Sequence, residues 1–242
     1  MNSNIQIKLN RLRNKATQSD ILFFLTNQEN AIDQELYNFA GKIREKYTGN
    51  RIHLRGLIEF SNYCSRSCHY CGLHRFNKNL QRYRMSPEEI IATSIQAARS
   101  GYRTVVLQSG EDPYFSIQDY VKIIRAIKRE VDIKITLAIG EKSFDSYRLL
   151  KASGADRYLL KHETSDPDLY RRLNPGMSLE YRLSSLRELK RLGFQVGSGI
   201  MLGLPGQSLA SIADDLLLFK SLDLDMIGCG PYIPHDHTPL AG

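Results

Sequence analysis

After residue 50 the chain alternates between short runs rich in aliphatic and β-branched residues and longer stretches whose apolar positions recur at helical spacing. The runs at 57–60, 104–108, 133–139, 158–162, 196–202 and 226–228 predict strands. Between them, 87–99, 117–129, 144–152, 179–192 and 209–222 predict amphipathic helices. The helix at 87 has the clearest start: Ser86 as N-cap, Pro87 in the first position, and Glu88 and Glu89 in the first turn. Most strands restart roughly 25–40 residues after the previous one, the size of a βαβ unit. Six such units argue for a parallel sheet with helices outside it, either barrel-like or doubly wound.

The first 50 residues have a helical pattern instead. One helix is expected over 10–25, where the apolar run Ile21-Leu22-Phe23-Phe24-Leu25 is opened by the capping candidates Ser19 and Asp20. A second is expected over 31–47, with Ile32, Leu36, Phe39, Ala40, Ile43 and Tyr47 on its apolar stripe and a stop at Thr48-Gly49-Asn50. No linker or low-complexity tract divides the remaining residues, so the expected organisation is a helical segment, 1–50, and one core domain, 51–242.

Composition narrows the function classes. With 242 residues, 42% hydrophobic and 24% charged, the chain is neither disordered nor a disulfide-rich mini-protein. No run of about 18 apolar residues offers a membrane span. The N-terminus lacks the apolar core of a secretory signal, so a cytoplasmic location and no membrane partner are expected. A net charge of +7 raises the question of nucleic acid, but the charges are mixed along most of the chain, and no nucleic-acid partner is expected. One stretch differs. Between Glu59 and Glu88 there is no acidic residue, while Arg66, Arg75, Lys78, Arg82 and Arg84 all fall there.

Three of the four cysteines lie in that stretch, as Cys64-Ser65-Arg66-Ser67-Cys68-His69-Tyr70-Cys71, directly after the first strand. Loops at strand ends are where α/β folds assemble active sites. Three thiolates on one loop can hold three irons of a cubane cluster and leave the fourth open. The alternative is a structural zinc completed by His69 or His74. On the fourth strand Arg157, Lys161 and Glu163 share one parity with Leu159, and Tyr158, Leu160 and His162 the other. A buried parallel strand is normally apolar on both faces, so three charges on one face call for a polar chamber. Cys229, alone in Gly228-Cys229-Gly230, is expected to be a small buried residue, and the run Leu216-Leu217-Leu218-Phe219 to be core.

The C-x3-C-x2-C spacing, with Tyr70 before the last cysteine, resembles the signature of radical S-adenosylmethionine enzymes. The likeness extends to Ile58-Glu59-Phe60-Ser61-Asn62, Cys71-Gly72-Leu73-His74-Arg75, Leu107-Gln108-Ser109-Gly110-Glu111-Asp112, the segment from Asp156 to Thr164, and Gly230-Pro231-Tyr232-Ile233-Pro234-His235. There the chain resembles the HydE-type maturases of FeFe-hydrogenases. The resemblance implies a TIM-type barrel, here a partial (β/α)6 core expected to be truncated before strands 7 and 8. It also implies a 4Fe-4S cluster on Cys64, Cys68 and Cys71 that reductively cleaves S-adenosylmethionine to a 5′-deoxyadenosyl radical.

Cofactor contacts are implied for Tyr70, for the turn Ser109-Gly110-Glu111, for Glu163 with the ribose or amino group, and for Arg182 with the carboxylate. Leu204 in Gly203-Leu204-Pro205-Gly206 would lie against the adenosine, and Ala138 stands where one member of the family carries a hydroxyl residue at the cofactor. A plain turn, for 109–111 and 203–206, and a solvated helix residue, for Arg182, are the competing readings. The implied substrate is a small iron–cysteinate complex, with Thr136, Arg157 and Lys161 as its candidate contacts. Implied partners are a reductant such as ferredoxin or flavodoxin and the other hydrogenase maturation proteins. Methylornithine synthase and biotin synthase belong to the same group, and the second lacks support because the chain carries no further cysteine cluster. A zinc-stabilised basic protein and a non-catalytic cluster-binding scaffold are the alternatives from other classes. An open barrel exposes one sheet edge, so low solubility or dimerisation is expected.

Overall fold

The computed structural model describes residues 2–27 and 29–241. Six parallel strands, β1 (Gly56–Ser61), β2 (Thr104–Ser109), β3 (Lys134–Ala138), β4 (Arg157–Leu159), β5 (Gln195–Leu202) and β6 (Met226–Pro231), form one sheet in chain order. A doubly wound sheet would reverse its strand order at a switch point. Here every strand lies beside its predecessor, so right-handed crossovers return all helices to the same side and the sheet curls as an arc of a barrel. β1 and β6 each have a single neighbour among the described residues.

The crossover helices are α4 (Pro87–Arg99), α5 (Ile117–Glu130), α6 (Phe144–Ala152), α7 (Pro167–Leu173), α8 (Leu179–Arg191) and α9 (Leu209–Ser221). Ser86 caps α4 reciprocally with Glu89: the Glu89 N–H donates to Ser86 Oγ at 3.2 Å and the Ser86 N–H to Glu89 Oε2 at 2.6 Å. The same box recurs at Ser116/Asp119 and Ser208/Ser211. One parity of β1 to β5 (Ile58 and Phe60, Val105 and Leu107, Ile135 and Leu137, Tyr158 with Leu160 just beyond, Val196) packs against these helices as the main core. The opposite parity faces the inside of the arc.

Three elements differ from the sequence reading. The N-terminal part holds three helices, α1 (Asn2–Asn14), α2 (Gln18–Thr26) and α3 (Asn30–Thr48), in place of two. The chain breaks at Thr17, which is the N-cap of α2, with Asp20 closing the box as the third helical residue. Ser19 is therefore inside the helix. The seven residues of α7 were not anticipated, because their apolar positions are too few to show a period; Asp166 caps them by accepting from the N–H groups of Asp168 and Leu169. Cys229 is exposed rather than buried; among the described residues no strand lies on the other side of β6.

α1 to α3 share a small core of Ile5, Leu9, Phe24 and Ile32. They dock on α9, where Gln18 Nε2 donates to Asp214 Oδ1 and Lys220 Nζ to the Asn14 carbonyl. An apolar groove of about 540 Å³ runs along this seam, lined in part by Leu216 and Leu217, while Phe219 beside them is buried. No helix among the described residues is long and apolar enough to cross a membrane.

Candidate functional site

The cysteine loop is built by the strand it leaves and the strand beside it. At the end of β1, Ser61 donates to Asp112 at 2.5 Å, and Arg84, where the loop returns, holds the same carboxylate through two nitrogens at 2.6 and 3.0 Å. Burial raises the pKa of Asp112, but the hydrogen bonds from Arg84 and Ser61 outweigh it and leave the carboxyl below its ordinary value. Arg84 also stacks on Tyr63, 3.5 Å from the ring centre. Arg82 staples the loop interior by donating to the carbonyls of Asn62, Leu73 and His74. The Ser65 N–H reaches the Glu111 carbonyl at 2.9 Å, and the His69 N–H reaches Leu173 at 2.8 Å.

Gly110 is the point of closest approach. A Cβ there would lie 2.3 Å from the Tyr63 carbonyl oxygen and 2.7 Å from Cys64 Cβ. Its glycine character is thus required by the passage of the cysteine loop over the end of β2. The basic stretch of the sequence is explained by the same packing. Arg66, Arg82 and Arg84 are engaged in holding the loop, Arg84 from an exposed position, whereas Arg75 and Lys78 are simply exposed.

Cys64, Cys68 and Cys71 line a cavity of about 400 Å³ together with Tyr70, Ser109, Gly110, Glu111, Ala138, Lys161, Glu163 and Arg182. That volume lies within the roughly 300–1,000 Å³ of small-molecule sites. Burial pushes the Cys68 thiol up to about 12, and the neighbouring Cys71 adds to the rise. Cys71 shifts upward for the same first reason. Among the described residues no three His, Cys, Asp or Glu side chains converge tightly enough to hold one metal ion. A single zinc needs its thiolates about 2.3 Å from one centre, whereas the irons of a cubane sit at separate corners and take one thiolate each. Three thiols lining one cavity are a donor set that three corners of a cubane can take. His74 is moreover engaged elsewhere, with Nε2 2.7 Å from the His237 carbonyl.

Glu163, just beyond β4, lies in the left-handed region at φ 66°, unusual for a residue with a side chain. Its Oε2 is sealed from solvent without a hydrogen-bond partner. Burial pushes the carboxyl upward against the pull of Lys161 and Arg182. An orphaned acceptor aimed into a cavity fits a ligand bearing hydroxyl or ammonium donors. Thr136, on the inner face of β3, likewise has a sealed, unpartnered hydroxyl.

A charge relay missed from sequence crosses the cavity wall. Glu111 pairs with Arg66 at 2.5 Å, Arg66 with Glu141 at 3.3 Å, and Glu141 with Arg182 at 2.6 Å. Arg182 also donates to the Lys161 carbonyl at 2.7 Å. Burial alone would lower its pKa, but Tyr170, Glu141 and Tyr70 around it raise it on balance, so it is a permanent cation. Glu141 carried no motif; its position one residue after Gly140, held at φ 73° against the Glu111 side chain, is visible only in three dimensions.

Thr136 is not among the residues lining the cavity, and two further sequence candidates lie elsewhere. Arg157 has the inward parity expected of it but opens β4, at the opposite end from the cysteines. There it donates to Gln195 at 2.6 Å and Thr104 at 3.0 Å, the first residues of β5 and β2. It lines a separate cavity with His53 and Arg55, and its assignment to the substrate site is corrected accordingly. Leu204 is buried with Leu169 and Leu173 in a cluster on which Tyr70 packs. Its N–H is directed at Gln207 Oε1, 3.3 Å away, and it does not line the cavity.

Comparison with known proteins fits this geometry. The family model of the Radical SAM superfamily matches residues 58–219. The chain is 47% identical over 229 residues to the FeFe hydrogenase maturase subunit HydE of Thermotoga maritima, a match covering 95% of this chain and 66% of that protein. To the 3-methylornithine synthase of Methanosarcina barkeri it is 33% identical over 230 residues, covering 93% of this chain and 65% of the relative. A solved methylornithine synthase superposes with a TM-score of 0.88 at 29% identity, over 97% of this chain and 70% of that one. The chain thus spans about two thirds of the length of these curated relatives.

Proposed function

The chain belongs to the Radical SAM superfamily, and on that premise we propose that it holds a 4Fe-4S cluster on Cys64, Cys68 and Cys71, binds S-adenosylmethionine beside it, and serves in building the di-iron subcluster of FeFe-hydrogenase. The observation that carries this reading is the convergence of the three thiols, the orphaned Glu163 carboxylate and the Arg182 guanidinium on one cavity. When bound and reduced, the cluster supplies an electron that cleaves the sulfonium and yields a 5′-deoxyadenosyl radical.

The chain's own residues bind, orient and shield. The three thiols give up their protons on taking iron, which for Cys68 and Cys71 offsets the burial that raises their pKa. Glu163 Oε2 accepts from a ribose hydroxyl or the methionine ammonium. Arg182 has Nε and Nη1 committed to Glu141 and Lys161, which leaves Nη2 to donate to the methionine carboxylate. The Gly110 backbone and the Ser109 hydroxyl form the opposite wall. Lys161, on the inner face between Leu159 and Glu163, is the cation available to a carboxylate-bearing substrate such as an iron–cysteinate complex; the Thr136 hydroxyl, level with Arg157 on the inner face of β3, lies outside the lining of that cavity. The 47% identity to a maturase, against 33% to a methylornithine synthase, supports the maturation reading over lysine rearrangement.

The test is anaerobic reconstitution with iron and sulfide, then reduction with S-adenosylmethionine and quantitation of 5′-deoxyadenosine, with Cys68→Ala as control. Product in the wild type alone supports the reading. A chain that binds zinc and takes up no cluster overturns it, and methylornithine formed from lysine moves it to the synthase branch.

A further inference from the structure

Behind the cavity wall, on the helix side of the sheet, three polar side chains are fully sealed: His162 after β4, Ser198 on β5 and Asp215 on α9 are each 0% exposed. His162 Nδ1 lies 2.8 Å from Ser198 Oγ, and Nε2 lies 3.3 Å from Asp215 Oδ1. Ser198 Oγ also sits 2.9 Å from the Leu160 carbonyl, which can only accept. Asp215 Oδ1 can only accept, so its bond to His162 places a hydrogen on Nε2, and the Ser198 hydroxyl lies between the acceptors Nδ1 and the Leu160 carbonyl. Asp215 Oδ1 also accepts from the Ser165 N–H at 2.5 Å. These three residue types in series suggest a nucleophile, a base and an acid, but the hydroxyl is closed to any substrate and bonded to the main chain. The series joins α9 to the ends of β4 and β5 and brackets the chain on both sides of Glu163.

The chain neighbours of His162 point the other way. Lys161 and Glu163 face the cavity, and Glu163 does so from a left-handed conformation that costs about 1–3 kcal/mol to maintain. The backbone of Glu163 is tied to β5 by its N–H to Gly199, at 2.9 Å, and by its carbonyl from Met201, at 3.2 Å. Those bonds leave the orientation of the turn to the groups on either side of it, of which the His162 ring and the Ser165 backbone N–H both end on Asp215.

We infer that His162, Ser198 and Asp215 are positioning residues that hold Glu163 in its left-handed conformation with its carboxylate presented to the cavity. This rests on the reading that Glu163 contacts S-adenosylmethionine. Removing the Asp215 charge loosens two tethers at once and lets the turn relax toward an ordinary conformation, withdrawing the carboxylate. The cysteine loop, to which none of these three side chains hydrogen-bonds, keeps its cluster.

The experiment is a double-mutant cycle on the cluster-loaded full chain, read by calorimetric titration with S-adenosylmethionine, iron content and thermal melting. Wild type, Glu163→Gln, Asp215→Asn and the double variant are compared. The inference expects Asp215→Asn to weaken binding about tenfold, or 1.4 kcal/mol, with iron per chain unchanged. It further expects the double variant to bind no worse than Glu163→Gln alone. A silent Asp215→Asn, or losses that simply add, overturns the inference while leaving the role of Glu163 standing. Glu163→Gln that binds as tightly as wild type overturns the reading of Glu163 and the inference with it. If Asp215→Asn fails to fold, Ser198→Ala, which opens only the Nδ1 contact, is carried through the same cycle with the same expectations.

Discussion

Gly110→Ala isolates the packing of the cysteine loop from the chemistry it supports. Gly110 is not in the left-handed region, so an alanine is locally acceptable and the whole effect is steric. The new methyl would stand 2.3 Å from the Tyr63 carbonyl oxygen, where ordinary contact begins at 3.4 Å. Both partners are backbone, or one bond from it, so neither can swing away as a long side chain would. The loop must lift by about 1 Å, for an overpacking cost of about 1–3 kcal/mol. In a chain of this size that lowers the melting temperature by roughly 2–4 °C per kcal/mol. The larger consequence falls on the cluster, because Tyr63 immediately precedes Cys64 and the lift displaces one thiolate from its iron. Anaerobic reconstitution followed by iron and sulfide analysis is the assay, with Gly41→Ala as the control: nothing lies within 4 Å of a Cβ there, and a mid-helix alanine is favoured by about 1 kcal/mol. We expect Gly110→Ala to load less than half the iron of wild type. Full loading with an unchanged melting temperature would refute the argument that this glycine exists to admit the loop.

The same geometry carries three further expectations. Cys68→Ala should abolish iron uptake and visible colour while leaving the far-ultraviolet dichroism of the folded chain intact. Arg82→Met strips the loop carbonyls of Asn62, Leu73 and His74 of their shared donor, at about 1–3 kcal/mol; limited proteolysis should then cut within 62–83 faster than in wild type, and unchanged cleavage would count against the staple. Asp112→Asn removes a buried carboxylate whose pKa is held below its ordinary 3.8, a stabilisation fully present above that pH and lost as the pH falls through the lower folded value. The stability gap between wild type and Asp112→Asn, measured by urea unfolding, should therefore be widest near neutrality and close below about pH 3.8.

Chemistry that depends on neighbours in the chain was legible in advance. The spacing of Cys64, Cys68 and Cys71 fixes which thiols can share one loop, Ser86 and Glu89 specify the start of α4, and the alternation through Tyr158 to Glu163 assigns one face to the helices and one to the interior. Each of these is set within a few residues by backbone geometry. What the sequence could not supply is depth. Parity put Arg157 on the inner face, yet only the register of the ladder, which pairs Arg157 with Thr136 and Gln195, places it at the far end of the lumen, away from the cysteines. The Glu111–Arg66–Glu141–Arg182 relay was hidden for the same reason, since its members come from four separate loops and helices and meet only when the arc closes around them. Gly110 could be read as a turn or a ligand contact in one dimension, and its steric purpose exists only where two strand ends cross. Local pattern determines which groups exist and which way they face; the curvature and stagger of the sheet decide which of them meet.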